Sequence, residues 1–429
     1  MNKPVFALMV GGVLVGGCTM TPKYTQPAAP IPANWPSGVA YAGTQATTNL
    51  PLASDLGWQE FFTDEKLRQV ISLALTNNRD LRLAALNVER ARALYGIQRT
   101  ELFPVLNANG SGTKARVPAD LSSSGRRQTV ERYDANLGVA AWEIDFFGRI
   151  RSLKDSALES YLGTEQARRS AQILLVSSVA QSYLALAADR EALALAETTL
   201  ASQQSSYDLI KRRFDLGLVA ELDLLRAQTP LDVARRDVAI YRQQVAQDEN
   251  ALNLLAGAPL PEELLPAGLD GVSPPQQVTA GLSSEVLLRR PDVLQAEHQL
   301  KAANADIGAA RAAFFPRISL TAAMGTASSD LSGLFKSGSG VWSYAPQMVM
   351  PIFDARTWSA HTAAKVQREI AVTQYEQAIQ VAFREVADAL AARGTVGEQV
   401  AAQQSLVKAF ADTYRLAQSR FDKDRKSVV

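Results

Sequence analysis

Few side chains in this sequence are placed to do chemistry, and the pattern around each limits what that chemistry can be. Cys18 is the only cysteine among 429 residues, so no intramolecular disulfide can form and a single thiol remains for thioether chemistry. It follows Val15-Gly16-Gly17, a small-residue cleavage site, which in turn follows Lys3 and the apolar run from Val5 to Val15. Residues 1–17 read as a bacterial lipoprotein signal peptide, removed in the mature chain and excluded from fold reasoning. The expected modification is diacylglycerol and palmitate on Cys18; the plainer competitor is an unpaired cysteine in an ordinary signal. His298 and His361 are the only imidazoles, each on a helical stretch without a metal-ligand partner at useful spacing, so packing or surface roles are expected. Ser405-Leu406-Val407-Lys408 matches a Ser-x-x-Lys pattern by chance inside a helical seam. No phosphate-cradling glycine-lysine loop, zinc-protease pattern or esterase elbow occurs, so no catalytic residue, metal or dissociable cofactor is expected.

Lysine plus arginine number 44 against 43 aspartate plus glutamate. That balance argues against a nucleic-acid partner and moves the search for partners from charge to shape. After the signal no stretch reaches the ~18 uninterrupted apolar residues of a membrane-spanning helix. A bilayer crossing by the mature chain is therefore expected to use strands.

The elements that carry these residues come in two copies. Asp80, Ala84, Ala91, Gly96, Arg99, Phe103 and Pro104 recur as Asp292, Ala296, Ala303, Gly308, Arg311, Phe315 and Pro316, at a constant offset of 212. Val179, Tyr207, Leu209, Arg213, Phe214 and Asp215 recur as Val386, Tyr414, Leu416, Arg420, Phe421 and Asp422, at an offset of 207. One loop of different length accounts for the change, and each copy is one unit completed by its neighbours. The expected organisation is a Pro-, Ala- and Thr-rich extended tether over 18–57, a first copy over 58–257, a Pro-rich linker over 258–284 and a second copy over 285–429. The first copy opens at Trp58-Gln59-Glu60-Phe61-Phe62, with Asp64 capping a helix that continues to about Leu102 before Pro104.

From Arg151 to Phe214 an apolar residue falls at every seventh position: Val179, Leu186, Leu193, Leu200, Tyr207 and Phe214. Val372, Ile379, Val386, Val400, Val407, Tyr414 and Phe421 keep that register in the second copy, broken by Arg393. A sustained seven-residue period keeps one seam turned to a neighbouring helix, as in a coiled coil. The competing reading is the core stripe of a plain bundle. Length weighs against it, since ~64 residues at ~1.5 Å each reach on the order of 95 Å. Arg168, Arg169, Asp189, Arg190, Glu191 and Lys211 to Arg213 exclude burial in hydrocarbon, so this helix is expected in water. After Gly217 a returning helix repeats the period with Leu224, Leu231, Val238, Val245 and Leu252, alongside Ala227, Ala234, Tyr241 and Leu255. Pro230 should bend it locally.

Four stretches have strand character, two per copy. Ile318, Leu320 and Ala322 alternate with Arg317, Ser319 and Thr321; Tyr133, Leu137 and Val139 alternate with Asp134, Asn136 and Gly138. Weaker segments lie at Leu106 to Ser111 and Val341 to Phe353, where Trp342 and Tyr344 suit an interfacial girdle. The stretches Lys114 to Thr129 and Ser328 to Gly340 are expected as loops. One apolar and one polar face at period two is the pattern of a barrel wall between lipid and water. Four strands cannot close such a barrel, since the small ones need about eight and an open edge in lipid leaves backbone groups unpaired. Two readings stay open: a soluble sheet, or an oligomer that shares one barrel.

Several longer matches then carry a resemblance. They are Trp58 to Phe62 with Asp64 and Leu67, Asn78-Arg79-Asp80-Leu81, Trp142 through Arg149, Arg213-Phe214-Asp215-Leu216-Gly217 with Leu222 to Leu225, Leu288 through Val293, Ala312 through Pro316, and Pro351-Ile352-Phe353-Asp354. Together they resemble the outer-membrane efflux proteins, the TolC-like exit ducts of tripartite pumps, and in particular the lipoprotein branch called the NodT type. The resemblance implies a mainly α fold with a small β part. Three protomers would each give four strands to one transmembrane barrel, continued by a coiled-coil α-barrel across the periplasm. It implies a homotrimer, a periplasmic adaptor, an inner-membrane pump of the RND type that supplies the energy, and a chain that is itself no enzyme. Thr19 after Cys18 resembles the sorting pattern of lipoproteins passed on to the outer membrane.

By the offset of 207, Gly257 should have a counterpart near position 464, beyond Val429. The returning helix of the second copy is thus expected to be missing, and Asp424-Arg425-Lys426-Ser427-Val428-Val429 looks like translated adaptor sequence. In the family, charged residues at the periplasmic tip of the second hairpin help hold the tunnel shut. The tip that remains is Gly217, with Glu221 and Asp223 as candidates for its charged rim; the plainer role for both acids is to complement a helix dipole. The leading functional expectation is a passive outer-membrane exit duct for drugs and other small molecules. A duct for type I protein secretion and a lipid-anchored periplasmic coiled-coil scaffold without a pore are the alternatives.

Overall fold

The computed structural model describes residues 19–42, 50–53, 55–279, 281 and 283–427, with side chains up to 420. Cys18 lies outside the described residues. The chain is mainly helical with one small antiparallel sheet. Its elements are α1 (Trp58–Phe61), α2 (Glu65–Asn77), α3 (Arg79–Thr100), β1 (Leu106–Val117), β2 (Gln128–Ile144), α4 (Arg149–Asp215), α5 (Glu221–Ala256), α6 (Pro291–Ala312), β3 (Arg317–Ser328), β4 (Gly340–Val349) and α7 (Ala355–Ser427). Two compact units form. One comprises the chain up to Ala28, Asn87–Gln166 and Leu294–Glu376; the other comprises Ala29–Leu86, Ala167–Val293 and the chain from Gln377 on. Each unit draws segments from both copies of the repeat.

The helix expected from Asp64 to about Leu102 is two helices. Asp64 begins the first as anticipated: it is buried, and its Oδ1 accepts from the Leu67 N–H at 2.8 Å. Asn78 then breaks the run. Its backbone is extended (φ −60°, ψ 131°), its Oδ1 accepts from the Leu81 N–H at 2.9 Å, and its Nδ2 donates to the Leu255 carbonyl at 2.9 Å. One amide side chain thus starts α3 and ties the junction to α5, which is why asparagine stands there. The strands run longer than expected at β1 and β2, leaving only 118–127 as the connecting loop, while β4 ends at Val349. α5 passes through Pro230 without interruption of the helix.

In the second unit Leu67, Val70, Ile71 and Ala74 of α2 pack with Leu175, Val176, Val179, Ala180, Tyr183 and Leu186 of α4 and with Leu252 of α5. Burying each such Leu, Val or Ile side chain contributes roughly 1.5–3 kcal/mol. α4 is also the one described helix long and apolar enough to cross a membrane. Its uncharged stretch, 171–188, supplies the core just named, so burial in protein accounts for its apolarity. Segment 30–41 lies along this unit: the Pro32 and Ala33 carbonyls accept from Ser284, and Trp35 stacks on Phe383 with ring centroids 5.4 Å apart.

α4 and α5 form a hairpin joined by polar bridges at a regular step. Arg190 meets Glu249 at 2.7 Å, Arg242 meets Glu197 at 2.7 Å, and Arg235 meets Gln204 at 3.0 Å. Each bridge lies seven residues farther along α4 and seven residues back along α5. These bridges flank the apolar seam and fix the register of the two antiparallel helices.

In the first unit α6 buries Leu300, Ala303, Asn304 and Ile307. Residues 21–26 are seated on this unit by side-chain bonds. Thr21 and Ser152 hydroxyls are 2.9 Å apart, Asn304 donates to the Pro22 carbonyl at 2.8 Å, Tyr24 donates to Glu297 at 3.2 Å, and Gln26 donates to Tyr375 at 3.0 Å.

Candidate functional site

The sheet has the order β1-β2-β3-β4, antiparallel throughout, and the outer edges of β1 and β4 carry no strand partner among the described residues. Its register sorts the side chains into two faces. Across one face run the rows Leu106, Val139, Ala322, Tyr344 and Ala108, Leu137, Met324, Trp342; farther on, Trp142, Leu320, Pro346 and Ile144, Ile318, Met348. Met324, Trp342, Tyr344 and Met348 are exposed there. The opposite face presents Asn107, Asn109, Asn136, Ser319, Ser343 and Gln347. An apolar and a polar surface on opposite sides of strands 10 to 17 residues long is what a wall between hydrocarbon and water needs.

This sorting depends on a β-bulge that sequence reasoning missed. Between Val139 and Trp142 the pairing of β2 with β3 shifts, Ala141 adopts φ 49°, and its N–H donates to Thr321 Oγ1 at 3.1 Å. Residues 133 to 139 turn their odd positions to the apolar face; were the pairing regular through 140–144, Trp142 and Ile144 would fall on the polar face. The signal available was the loss of alternation in Leu137-Gly138-Val139-Ala140-Ala141-Trp142.

The bulge also decides where Glu143 goes. It emerges on the polar face at the foot of the sheet, opposite Ser319. Its carboxylate accepts from Arg149 Nε and Nη2, both at 2.8 Å, and pairs with Arg317 Nε at 3.0 Å. Next to it Asp145 caps α4: Oδ1 accepts from the Ile150 N–H at 3.1 Å and Oδ2 from the Arg151 N–H at 2.9 Å. The stretch Trp142 to Arg149 is therefore a strand end, a charge cluster and a helix cap in eight residues. Asp354 does the same capping for α7, accepting from the Arg356 N–H at 3.0 Å. Phe147 and Phe315 stack beside these groups with centroids 4.8 Å apart, and the region lines a half-open cavity of about 460 Å³.

At the far end of the α4–α5 hairpin Gly217 has φ 72°, with open space where a Cβ would stand. Its N–H donates to the Phe214 carbonyl at 2.8 Å and the Leu218 N–H to the Arg213 carbonyl at 2.9 Å, the paired bonds of a Schellman motif. Glu221 and Asp223 are exposed in the first turn of α5, and Asp223 stands 4.0 Å from Arg226. Around them Leu216, Leu218, Leu222 and Leu225 are exposed. The tip is thus leucine-rich as well as acidic, a feature that the charge pattern alone did not indicate.

The histidines occupy packed positions. His298 Nδ1 lies 2.7 Å from Glu159 Oε2. His361 packs edge-on against Phe314, its Nε2 is buried, and burial holds its pKa below the ordinary histidine value. Among the described residues no group of three His, Cys, Asp or Glu side chains is placed to hold a metal ion. Ser405 and Lys408 lie on an exposed part of α7.

Comparison with known proteins bears on the whole chain. The family model described as outer membrane efflux protein matches residues 70–258 and 282–423. The probable efflux pump outer membrane protein TtgC of Pseudomonas putida is 48% identical over 423 residues, covering 98% of this chain and 87% of the relative. The solvent efflux pump outer membrane protein SrpC of Pseudomonas putida is 49% identical over 433 residues, covering 100% and 90%. Among solved structures, the open state of the MtrE outer membrane channel of Neisseria gonorrhoeae superposes with a TM-score of 0.83 at 37% identity, covering 94% of this chain and 88% of that one. With the family model spanning most of its length and relatives near half identity, this chain belongs to the outer membrane efflux protein family.

Proposed function

We propose that this chain is the outer-membrane exit duct of a tripartite efflux assembly and works as a homotrimer. The observation that carries the reading is the two-faced sheet whose outer edges carry no strand partner among the described residues. Four strands cannot enclose a pore, and edges left open in lipid would cost several kcal/mol per unpaired group, so the edges must be met by strands of further copies. Three copies would pool twelve strands. The polar face, lined by amides and hydroxyls, would then border water and the face bearing Trp342 and Tyr344 would meet lipid.

In this reading the chain catalyses nothing. An inner-membrane pump of the RND type supplies the energy, and a periplasmic adaptor engages the helical part and the tip that carries Gly217, Glu221 and Asp223. The relatives named as solvent and toluene efflux proteins suggest small apolar molecules as cargo. Cys18, acylated with diacylglycerol and palmitate, would anchor the chain to the outer membrane, and the bonds that seat Thr21, Tyr24 and Gln26 would hold the chain just beyond it.

The test is reconstitution of purified full-length protein in planar bilayers. Steady single-channel openings from a species of three chains are expected. Folded protein that stays silent would instead favour the scaffold without a pore. Mass measurement of the mature N-terminus tests the anchor: a mass increase matching three acyl chains at Cys18 is expected, and an unmodified terminus removes the anchor.

A further inference from the structure

We propose that Arg317 and Glu143 set the charge selectivity of the conduit where the sheet meets the helices, Arg317 as the ion-facing group and Glu143 as its shielded counter-charge. The proposal rests on the duct reading above and deepens it. The side chain of Arg317 is 59% exposed, whereas that of Glu143 is 16% exposed and that of Arg149 26%. A passing ion therefore meets a guanidinium first, with the carboxylate behind it shared between two arginines.

The rest of the polar face makes this position distinctive. From Asn136 to the bulge on β2, and along β3 beyond Arg317, its residues are neutral; Asp134, nearer the far end, is held by Arg132 at 2.9 Å. Around the foot, Asp145 is paired with Arg151 at 3.1 Å and Asp354 with Arg356 at 3.0 Å, and Glu101 also lies in the field of Arg149. Those acids have cations of their own or lie outside the sheet. Arg132 and Asp134 form a pair of the same kind toward the far end of that face, whereas at the foot, where the sheet meets the helices, the pair on the strand face is Glu143 with Arg317. These are therefore the two charges whose removal changes what an ion passing that end senses. Rings of charged side chains lining a pore select by this electrostatic means. Repetition of one chain around a shared barrel would turn the pair into such a ring.

The experiment compares the full-length protein with Arg317→Gln and Glu143→Gln in planar bilayers under a potassium chloride gradient, reading the reversal potential. Arg317→Gln should shift it toward cation preference. Glu143→Gln should shift it toward anion preference, because both guanidinium groups lose their shared partner. Both shifts should shrink between 0.1 M and 1 M salt, as the screening length falls from about 10 Å to about 3 Å. Shifts of the same sign, or none in channels that still conduct, would overturn the proposal. If Glu143→Gln does not assemble, the sign of the Arg317→Gln shift decides alone. A wild-type protein that does not conduct removes the duct reading itself, a different result from a conducting channel that ignores both substitutions.

Discussion

The two long helices, α4 and α7, share a seven-residue seam but use it differently. In α4, Val179 and Leu186 are fully buried, and Leu193, Leu200, Tyr207 and Phe214 are half-buried along α5. In α7, Ala371, Tyr375, Ile379 and Ala382 are buried, whereas every residue from Val396 to Arg420 is exposed, including Val400, Val407, Phe410 and Tyr414. The polar bridges differ as well. Arg190, Glu197 and Gln204 of α4 correspond, at the offset of 207, to Gly397, Gln404 and Ala411 of α7. A periodic apolar stripe thus records the capacity to pack, while the flanking polar residues record which neighbour and which register. α7 keeps the first property and lacks the second.

Truncating tyrosines along the seams should give the largest effect and tests the contrast directly. Tyr183→Ala removes a side chain that is 1% exposed and should destabilise the protein by ~3–5 kcal/mol, read from denaturant unfolding. Tyr207→Ala should cost less, and Tyr414→Ala should fall within about 0.5 kcal/mol. A cost at Tyr414 equal to that at Tyr207 would break the comparison and show that the α7 seam is covered in the assembled protein.

A glycine gives the next largest effect. Gly394 corresponds to the buried Ala187 of α4, yet a Cβ on it would overlap the Ala40 carbonyl oxygen of segment 30–41. Glycine to alanine in an open helix gains ~1 kcal/mol. Here Gly394→Ala should instead lose roughly 1–3 kcal/mol, because the segment must move away. A gain in melting temperature would mean that the strap does not lie on α7.

The smallest effect separates the helices by pH. Burial first, and then the neighbouring Asp189 carboxylate, push the Asp248 carboxyl on the α4–α5 contact up to about 6. The folded state therefore holds this proton more tightly than the unfolded chain, so stability rises as pH falls from about 6 toward the ordinary aspartate value near ~3.9. Above pH 6 the two negative charges oppose each other. Asp248→Asn should be slightly more stable than wild type at pH 7.5, by less than ~1 kcal/mol at this half-exposed site, and should gain less on acidification. An unchanged pH slope in thermal melts would remove Asp248 as its source.

Much of this organisation was legible in the residues. The seams, the Asp64 cap, the turn at Gly217 and the presence of four strands all follow from local pattern, because each is decided within a few residues or a repeated period. What escaped needed partners distant in sequence. The break at Asn78 depends on the Leu255 carbonyl, since an asparagine in a helical run reads as a weak helix residue until its side chain has somewhere to bond. The Glu143 cluster depends on Arg317, some 170 residues away, and on a bulge whose only trace is a blurred alternation. The exposed leucines at the tip were visible as letters, but their exposure was not. Cys18, the strongest local signal of all, lies outside the described residues.

Parity is the lasting consequence of the shifted pairing at Ala140 and Ala141. A strand distinguishes oil from water only by whether a position is even or odd, so pairing those two alanines as successive rungs, without the bulge, would be felt at each side chain between there and the start of α4. Trp142 and Ile144 would move to the wet side and Glu143 to the greasy one, stripped of both arginines. An added or lost residue within 118–127 or 329–339, by contrast, lies beyond the last paired positions and leaves that count untouched.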